Sequence, residues 1–275
     1  MGLPQARELS FAAQRFSTIE VNSAFYRLQR PASFLRWRRE TPDDFVFAIK
    51  GSRYITHMLK LQNADAGLAN FWASGLLALG PKLGPILWQF PQRSRFDERL
   101  FEGFLKRLPK STGEALSIAR GHDARVEGRT WLEIERDVPL RHAIEIRHDS
   151  FRSAAFVDLL RRHRVALVCA DTVDWPLLMD LTADFIYGRL HGSQELYVSG
   201  YDDTALDHWA HLVTQWSAGM DPPDAQRIGP PSPTRTQGRD VFIYFDNDAK
   251  VRAPVDAAGL ARRVARDRTP MTPPR

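Results

Sequence analysis

The sequence predicts an α/β fold with parallel strands in a TIM-barrel-like (β/α)8 arrangement from which the first strand is missing. Three observations carry that expectation. Seven short apolar segments of strand character recur along the 275 residues; helical sequence follows each of them; and one more helical segment stands ahead of the first strand. Alternation of this kind is the signature of a parallel sheet covered by helices. Seven βα units behind an orphan leading helix fit an eight-fold barrel short of one strand. An open doubly wound sheet is the competing architecture, but no strand runs into the Gly-rich phosphate loop of its nucleotide-binding versions.

Taken in order, a helix is expected over Pro4–Phe16, then a strand TIEVN (Thr18–Asn22) and a helix over Pro31–Glu40 with Phe34, Leu35 and Trp37 inside. FVFAIK (Phe45–Lys50) is the second strand, with a loop and a helix over Ala64–Leu79 behind it. GPILWQF (Gly84–Phe90) leads into an amphipathic helix whose stripe is Phe96, Leu100, Phe101, Phe104, Leu105 and Leu108. Residues 111–140 lack a clean period and read as an insertion. The strand in HAIEIRHDSF follows, then a helix over Ser150–Arg164, the strands VALVCAD and FIYGRLHG, and a helix over Asp202–Ala218. VFIYFDND is the last strand. The final helix starts at Pro254, a residue suited to a first turn because its missing N–H would have no partner there. The whole chain reads as a single domain, with 219–239 a mobile Pro-rich loop and 268–275 a disordered tail.

Composition narrows the class. Hydrophobic residues make up 43% and charged residues 26%, ordinary values for a globular chain. No apolar run approaches the roughly 18–20 residues that span a bilayer, and the N-terminus lacks a secretory layout, so no membrane and a cytoplasmic setting are expected. The lone Cys169 excludes an intrachain disulfide and a cysteine-rich zinc site. The pI of about 9.5 comes from arginines spread over helices, a weak pointer to nucleic acid.

Strand phasing yields the candidate site. With Ile144 and Ile146 turned toward helices, Glu145 and Arg147 face the barrel interior. The same phasing turns Glu20 and Asn22, Lys50, Gln89, Cys169 and Asp171, Arg189 and His191, and Tyr244 and Asp246 inward. Each strand therefore ends in a polar inward residue. Burying so many ionisable groups is costly unless they pair or meet a ligand, and the carboxyl ends of the strands are where such barrels build their sites. Ion pairs that merely close the barrel end are the plain alternative for any one of them.

Several segments also resemble, in order and spacing, the domain-of-unknown-function-72 (YecE-like) family: FSTIEVNSAFYR, FAIKGSRYITHMLKL, GPILWQFP, HAIEIRHDSF, FIYGRLHGS with YVSGYDDTALDHWA, and VFIYFDNDAKVRAP. The resemblance spans most of Phe16–Pro254 and implies a TIM-barrel-like fold without settling an activity. Family members usually open with a strand and a Gly-Trp-Tyr-type loop ahead of a segment like GLPQARELSFAAQRF. This chain matches nothing there, in agreement with the strand count.

The leading functional expectation is an enzyme or binding protein for a small anionic substrate, a hydrolase or lyase in broad type. Glu20, Glu145, His148, His191 and Asp171 are the candidate catalytic groups for proton transfer. Asn22, Lys50, Gln89, Arg147, Arg189, Tyr201, Asp246 and Asn247 are the candidate substrate contacts, with arginine offering a two-pronged fork to phosphate or carboxylate. His57 lies in a loop on the same side. No HxH or HExxH pairing occurs, so no metal is assigned, and the sequence leaves any cofactor unknown. Nucleic-acid binding is the alternative, resting on charge and on Tyr26, Tyr54, Tyr197, Tyr201 and Trp209 as stacking residues. Oligomeric state is not indicated.

Overall fold

The computed structural model describes residues 4–192, 199–247 and 252–268. The chain divides into two compact units, Met1–Ile146 and Arg147–Arg275.

In the first unit, α1 (Gln5–Ala13) precedes β1 (Thr18–Val21), followed by α2 (Ser23–Tyr26), α3 (Pro31–Arg39), β2 (Val46–Lys50), α4 (Asp65–Ala73), β3 (Leu83–Gln89), α5 (Glu98–Arg107), α6 (Thr112–Ala119) and β4 (His142–Glu145). The strands pair in sequence order, all parallel. The helix expected over 64–79 stops early. Gly75 adopts φ 122°, and a Cβ there would meet Pro31 Cα at 2.7 Å, so only glycine allows the chain to turn beneath α3. Gly80 and Pro81 then break the 3-10 segment Leu76–Lys82. The stretch read as an insertion carries α6, capped by Ser111 and pinned by Asp137, which accepts from the Gly113 N–H at 2.6 Å.

One side of this sheet is packed with aromatic rings. Trp88 meets Phe104 edge-on at 5.3 Å and stacks with His142 at 6.3 Å, while Phe47 lies against Trp37. His142 is wholly committed here. Its Nε2–H donates to the Pro109 carbonyl (2.7 Å) and its Nδ1 accepts from the Trp88 indole (3.2 Å).

The second unit contains α7 (Ala154–His163), β5 (Ala166–Asp171), β6 (Phe185–Leu190), α8 (Asp203–Ser217), β7 (Asp240–Phe245) and α9 (Ala253–Arg268), with β5, β6 and β7 again parallel in order. No helix joins β5 to β6, contrary to the expectation that each strand leads into one. Pro176 and the β-branched Thr172 and Val173 disfavour it. The irregular segment covers the sheet instead, inserting Met179 and Leu181 into a core with Cys169, Leu190, Trp209, Leu212 and Trp216. Thr182 Oγ1 accepts from the Leu167 N–H (2.8 Å) and donates to the Val165 carbonyl (2.6 Å).

The segment expected to be a mobile loop, 219–239, is tied at several points. Buried Asp180 accepts from the N–H groups of Ile228 and Gly229, and the Arg239 guanidinium donates to the carbonyls of Gly219, Met220 and Pro233. Of the expected disordered tail, Arg268 closes α9 and the rest lies outside the described residues. Pro254 sits in the first turn of α9, as the sequence predicts.

Burial holds the His142 imidazole at a pKa of about 4, well below its ordinary 6.5, because the charged form loses its hydration. Its folded pKa is depressed, so its neutral form stabilises the fold fully above about pH 6.5. That contribution, on the order of 3 kcal/mol, is lost as pH falls from 6.5 through 4. A His142→Phe variant should start less stable at neutral pH and lose less stability than the wild type across that interval, as urea unfolding at each pH will report.

Candidate functional site

Register decides which side chains share a face. In the first unit Glu20 pairs with Ala48, Lys50 with Leu87, and Gln89 with Glu145. Residues two apart on one strand point the same way, so Glu20, Lys50, Gln89 and Glu145 all project from the face opposite the aromatic layer. The expected phasing of this quartet and its structural placement agree. Glu145 is fully buried (0% exposed) and Lys50 nearly so (7%), while Glu20 is half-buried. The Lys50 ammonium lies 4.5 Å from the centroid of the Phe25 ring, a contact with the negative face of an aromatic quadrupole. Gln89 is anchored by its own Nε2, which donates to the Phe90 carbonyl at 2.7 Å. Asn22 is exposed and starts α2, its backbone carbonyl accepting from the Phe25 N–H.

Beyond β2 the chain makes a π-helical turn, Tyr54–Met58, and then passes through left-handed backbone at Lys60, Leu61 and Asn63. Such turns and such strain collect at functional sites. His57 belongs to this turn; its Nδ1 lies 2.8 Å from Thr56 Oγ1, and its ring meets Phe25 edge-on at 5.1 Å.

In the second unit Ala170 pairs with Arg189 and Arg189 with Tyr244. The ladder runs one residue past the strand ends: the His191 N–H donates to the Asp171 carbonyl and the Asp246 N–H to the Leu190 carbonyl. His191 and Asp246 therefore keep strand geometry and share the face of Arg189. Arg189 is fully buried (0% exposed) and its Nη2 donates to Asp246 Oδ2 at 2.8 Å. The same oxygen lies 3.3 Å from His191 Nδ1. One carboxylate thus stands within reach of a guanidinium and an imidazole, and its side chain is 24% exposed.

Two expected site residues are on the other face. Asp171 pairs with Leu190, and its carboxylate accepts from the Trp209 indole N–H (3.1 Å) in the helix-covered layer. Tyr201 joins it there: its hydroxyl bonds to Asp171 and accepts from the Gly192 N–H (3.2 Å). Burial and the nearby Asp171 charge push the Tyr201 phenol far above its ordinary pKa. The inward orientation assigned to Asp171 and Cys169 is therefore corrected, and Trp209 is core. Cys169 is buried, which raises its thiol to about 12 and makes it a poor nucleophile. Asn247 is also buried and donates to the Ser199 carbonyl (3.1 Å) and to Asp256 Oδ2 (2.8 Å), joining the exit of β7 to α9.

His148 is half-buried, and its Nδ1 accepts from the Ser150 N–H at 3.0 Å, capping a short 3-10 turn. A neutral ring whose Nδ1 accepts in this way carries its proton on Nε2, as a donor. Arg147 lies over the face of Trp175, 4.2 Å from the ring centroid, and Trp175 meets His191 edge-on at 5.3 Å. Sequence phasing missed Trp175 because it sits in no strand; its position directly after a strand exit, in DTVDW, is the signal that points to it. Of the aromatics proposed for stacking, Tyr26 is exposed, Tyr54 opens the π-helical turn, and Tyr197 lies outside the described residues.

A separate open cavity of about 630 Å3 lies at the strand entrances of the first unit, lined by residues that include Leu35, Arg38, Thr41, Asp43 and Lys82. Its buried lysine is already occupied, donating to the carbonyls of Arg38 (2.6 Å) and Thr41 (2.7 Å) and to Thr41 Oγ1 (3.2 Å). Its role is to satisfy the end of α3.

The strand and helix order, with polar groups gathered at the carboxyl ends, is that of a TIM-barrel-like α/β protein, and comparison with solved structures bears out that fold. A DUF72 family protein from Thermotoga maritima MSB8 superposes with a TM-score of 0.69 at 20% identity, covering 96% of this chain and 91% of that one. A DUF72 family protein from Enterococcus faecalis V583 gives 0.66 at 15% identity, covering 94% and 88%. The chain belongs to the family described as "Protein of unknown function DUF72", whose model matches residues 1–275. It is also similar to the UPF0759 protein YecE of Escherichia coli K12, 30% identical over 92 residues, or 28% of this chain. That match spans about a third (34%) of the curated relative's length. No helix among the described residues is long and apolar enough to cross a membrane.

Removing the Asp171 carboxylate leaves a buried indole N–H and a buried phenol without their acceptor. An Asp171→Ala variant should lose about 2–4 kcal/mol of unfolding free energy in urea titration. A loss below about 0.5 kcal/mol would place Asp171 outside the core network.

Proposed function

We propose that the protein binds a small substrate bearing a carboxylate or phosphate at the carboxyl ends of its strands and acts on it by acid/base chemistry. The observation that carries this reading is the Asp246 carboxylate set between Arg189 (2.8 Å) and His191 (3.3 Å) on one face of β6 and β7. A carboxylate this close to an imidazole is the arrangement by which a ring is oriented for proton transfer. Arg147, half-buried over Trp175, supplies a fork suited to an oxyanion. In the first unit, Glu145 and Glu20 share a face with Lys50, and these two carboxylates are that unit's own candidate proton-transfer groups. The reaction class is hydrolysis or elimination, with the protein in the cytoplasm. Asp171, Tyr201 and Asn247 act in this reading by bracing the exits of β5, β6 and β7 from the helix side.

A thermal-shift screen of phosphosugars, sugar acids, nucleotides, divalent metals and short DNA tests it. A ligand at 100 times its Kd adds about 2.7 kcal/mol of stability. Arg147→Ala should weaken a small anionic ligand at least about tenfold. Asp246→Asn should abolish turnover while the ligand still binds. A salt-sensitive shift with DNA alone, or binding and turnover unchanged in both variants, would remove this reading.

A further inference from the structure

We propose that the exit of β1 carries a sugar-ring subsite: the Tyr26 ring takes the C–H face of a pyranose or furanose and the Asn22 amide bonds its hydroxyls, so that the small anionic substrate is a cyclic sugar bearing a phosphate or carboxylate. The inference rests on the reading above and deepens it. β1 ends at Val21 and α2 begins at Ser23, so Asn22 and Tyr26 stand one helical turn apart and are neighbours on the same side of it. Tyr26 is 68% exposed, more than any other large apolar residue described. Buried Phe25 meets its ring edge-on at 5.0 Å and 87°, which fixes its angle and leaves its faces uncovered. Phe11, the other exposed large aromatic ring of this unit, is different: the Arg15 guanidinium carbon already lies 3.6 Å from its centroid. Asn22 precedes α2, where an amide ordinarily caps the first N–H groups. Its backbone is instead already helical (φ −83°, ψ −20°) and its side chain makes no capping bond, which leaves an exposed donor and acceptor beside the exposed ring.

The support beneath this pair is rigid and belongs to the candidate face. Phe25 carries the Lys50 ammonium 4.5 Å from its centroid, so Tyr26 stands one ring away from the end of β2. Phe25 also meets the His57 ring edge-on at 5.1 Å. His57 lies in the π-helical turn, which is anchored by buried Ile55 and closed by the Leu59 N–H on the Tyr54 carbonyl (2.8 Å) and the Leu61 N–H on the Ile55 carbonyl (3.1 Å). Gly67 brings α4 so near that a Cβ there would stand 3.2 Å from Ile55 Cγ1. Packing thus holds the left-handed backbone at Lys60, Leu61 and Asn63 in place and leaves Met58 63% exposed at the rim. The chemistry of the pair selects the ligand. A puckered sugar presents C–H bonds on one face and hydroxyls around its edge; a ring face suits the first and an amide the second. Phe25 and Tyr26 are nearly perpendicular, so they offer no two parallel faces to sandwich a planar base.

The test is calorimetric titration of two pairs of probes into the full chain, each pair sharing its anion with and without a ring: glucose 6-phosphate against glycerol 3-phosphate, and glucuronate against glycerate. AMP is titrated alongside. In at least one pair the cyclic member should bind at least about fivefold tighter than the acyclic one. Tyr26→Ala should remove that advantage and leave the acyclic member within about twofold, while Tyr26→Phe, which keeps the ring, should retain it. Asn22→Ala should weaken the cyclic member about fivefold, the size of one neutral hydrogen bond. Both positions are exposed, so these truncations leave the core intact. Equal affinity within both pairs, or a cyclic advantage that survives Tyr26→Ala, overturns the subsite and leaves the anion site standing. AMP bound through Tyr26 more tightly than either sugar probe makes the ring a base platform and overturns the sugar assignment. Failure of every probe to bind the wild-type chain overturns both the subsite and the reading on which it rests.

Discussion

A guanidinium with no exposed surface is tolerable only beside a carboxylate, and the pair of Arg189 with Asp246 is the constraint around which the second unit is arranged. Removing a charge from water costs several kcal/mol even after relaxation, so Asp246 has to arrive within bonding distance. It does so because the β6–β7 ladder continues past both strands, holding His191 and Asp246 in the alternation that Arg189 and Tyr244 begin. Placing the imidazole of His191 near the same carboxylate oxygen follows from that register. The geometry that neutralises a buried charge is therefore the geometry that could orient a base.

The two faces of the sheet divide their tasks. On the helix-covered face, Asp171 collects the Trp209 indole and the Tyr201 hydroxyl, and Tyr201 in turn accepts from the Gly192 N–H. Gly192 has φ 110°, open to glycine and strained for other residues, and it ends β6 at that bond. Asp256, in the first turn of α9, accepts from the Tyr201 N–H and from Asn247. These buried polar groups tie Gly192 and Asn247, at the exits of β6 and β7, to Tyr201 and α9.

Where a helix would ordinarily cover a strand, the 172–184 segment shows what replaces it. Met179 and Leu181 supply the apolar cover, Thr182 ties back to β5, and Asp180 bonds two N–H groups of the Pro-rich segment. An irregular path of this kind can hold a side chain at an angle that a helix would not offer, and Trp175 under Arg147 is the result.

The sequence by itself determined the strand order, the parallel α/β class and the phase of strands whose two sides differ. IEVN, FAIK and IEIR alternate clearly, so Glu20, Lys50 and Glu145 fall on one face as read; the polar ends of FIYGRLH and VFIYFD likewise put Arg189 and Asp246 together. β5 was different. ALVCA is apolar on both sides, as strands covered on both faces are, and period-two reasoning has nothing to lock onto; Asp171 was assigned to the wrong face for that reason. Tertiary structure alone decided three things: that Asp171 and Tyr201 serve the helix layer, that His148 caps its own turn, and that Trp175 joins the charged cluster. Each depends on contacts between segments whose separation along the chain carries no period, and local pattern cannot encode which donor will find which acceptor.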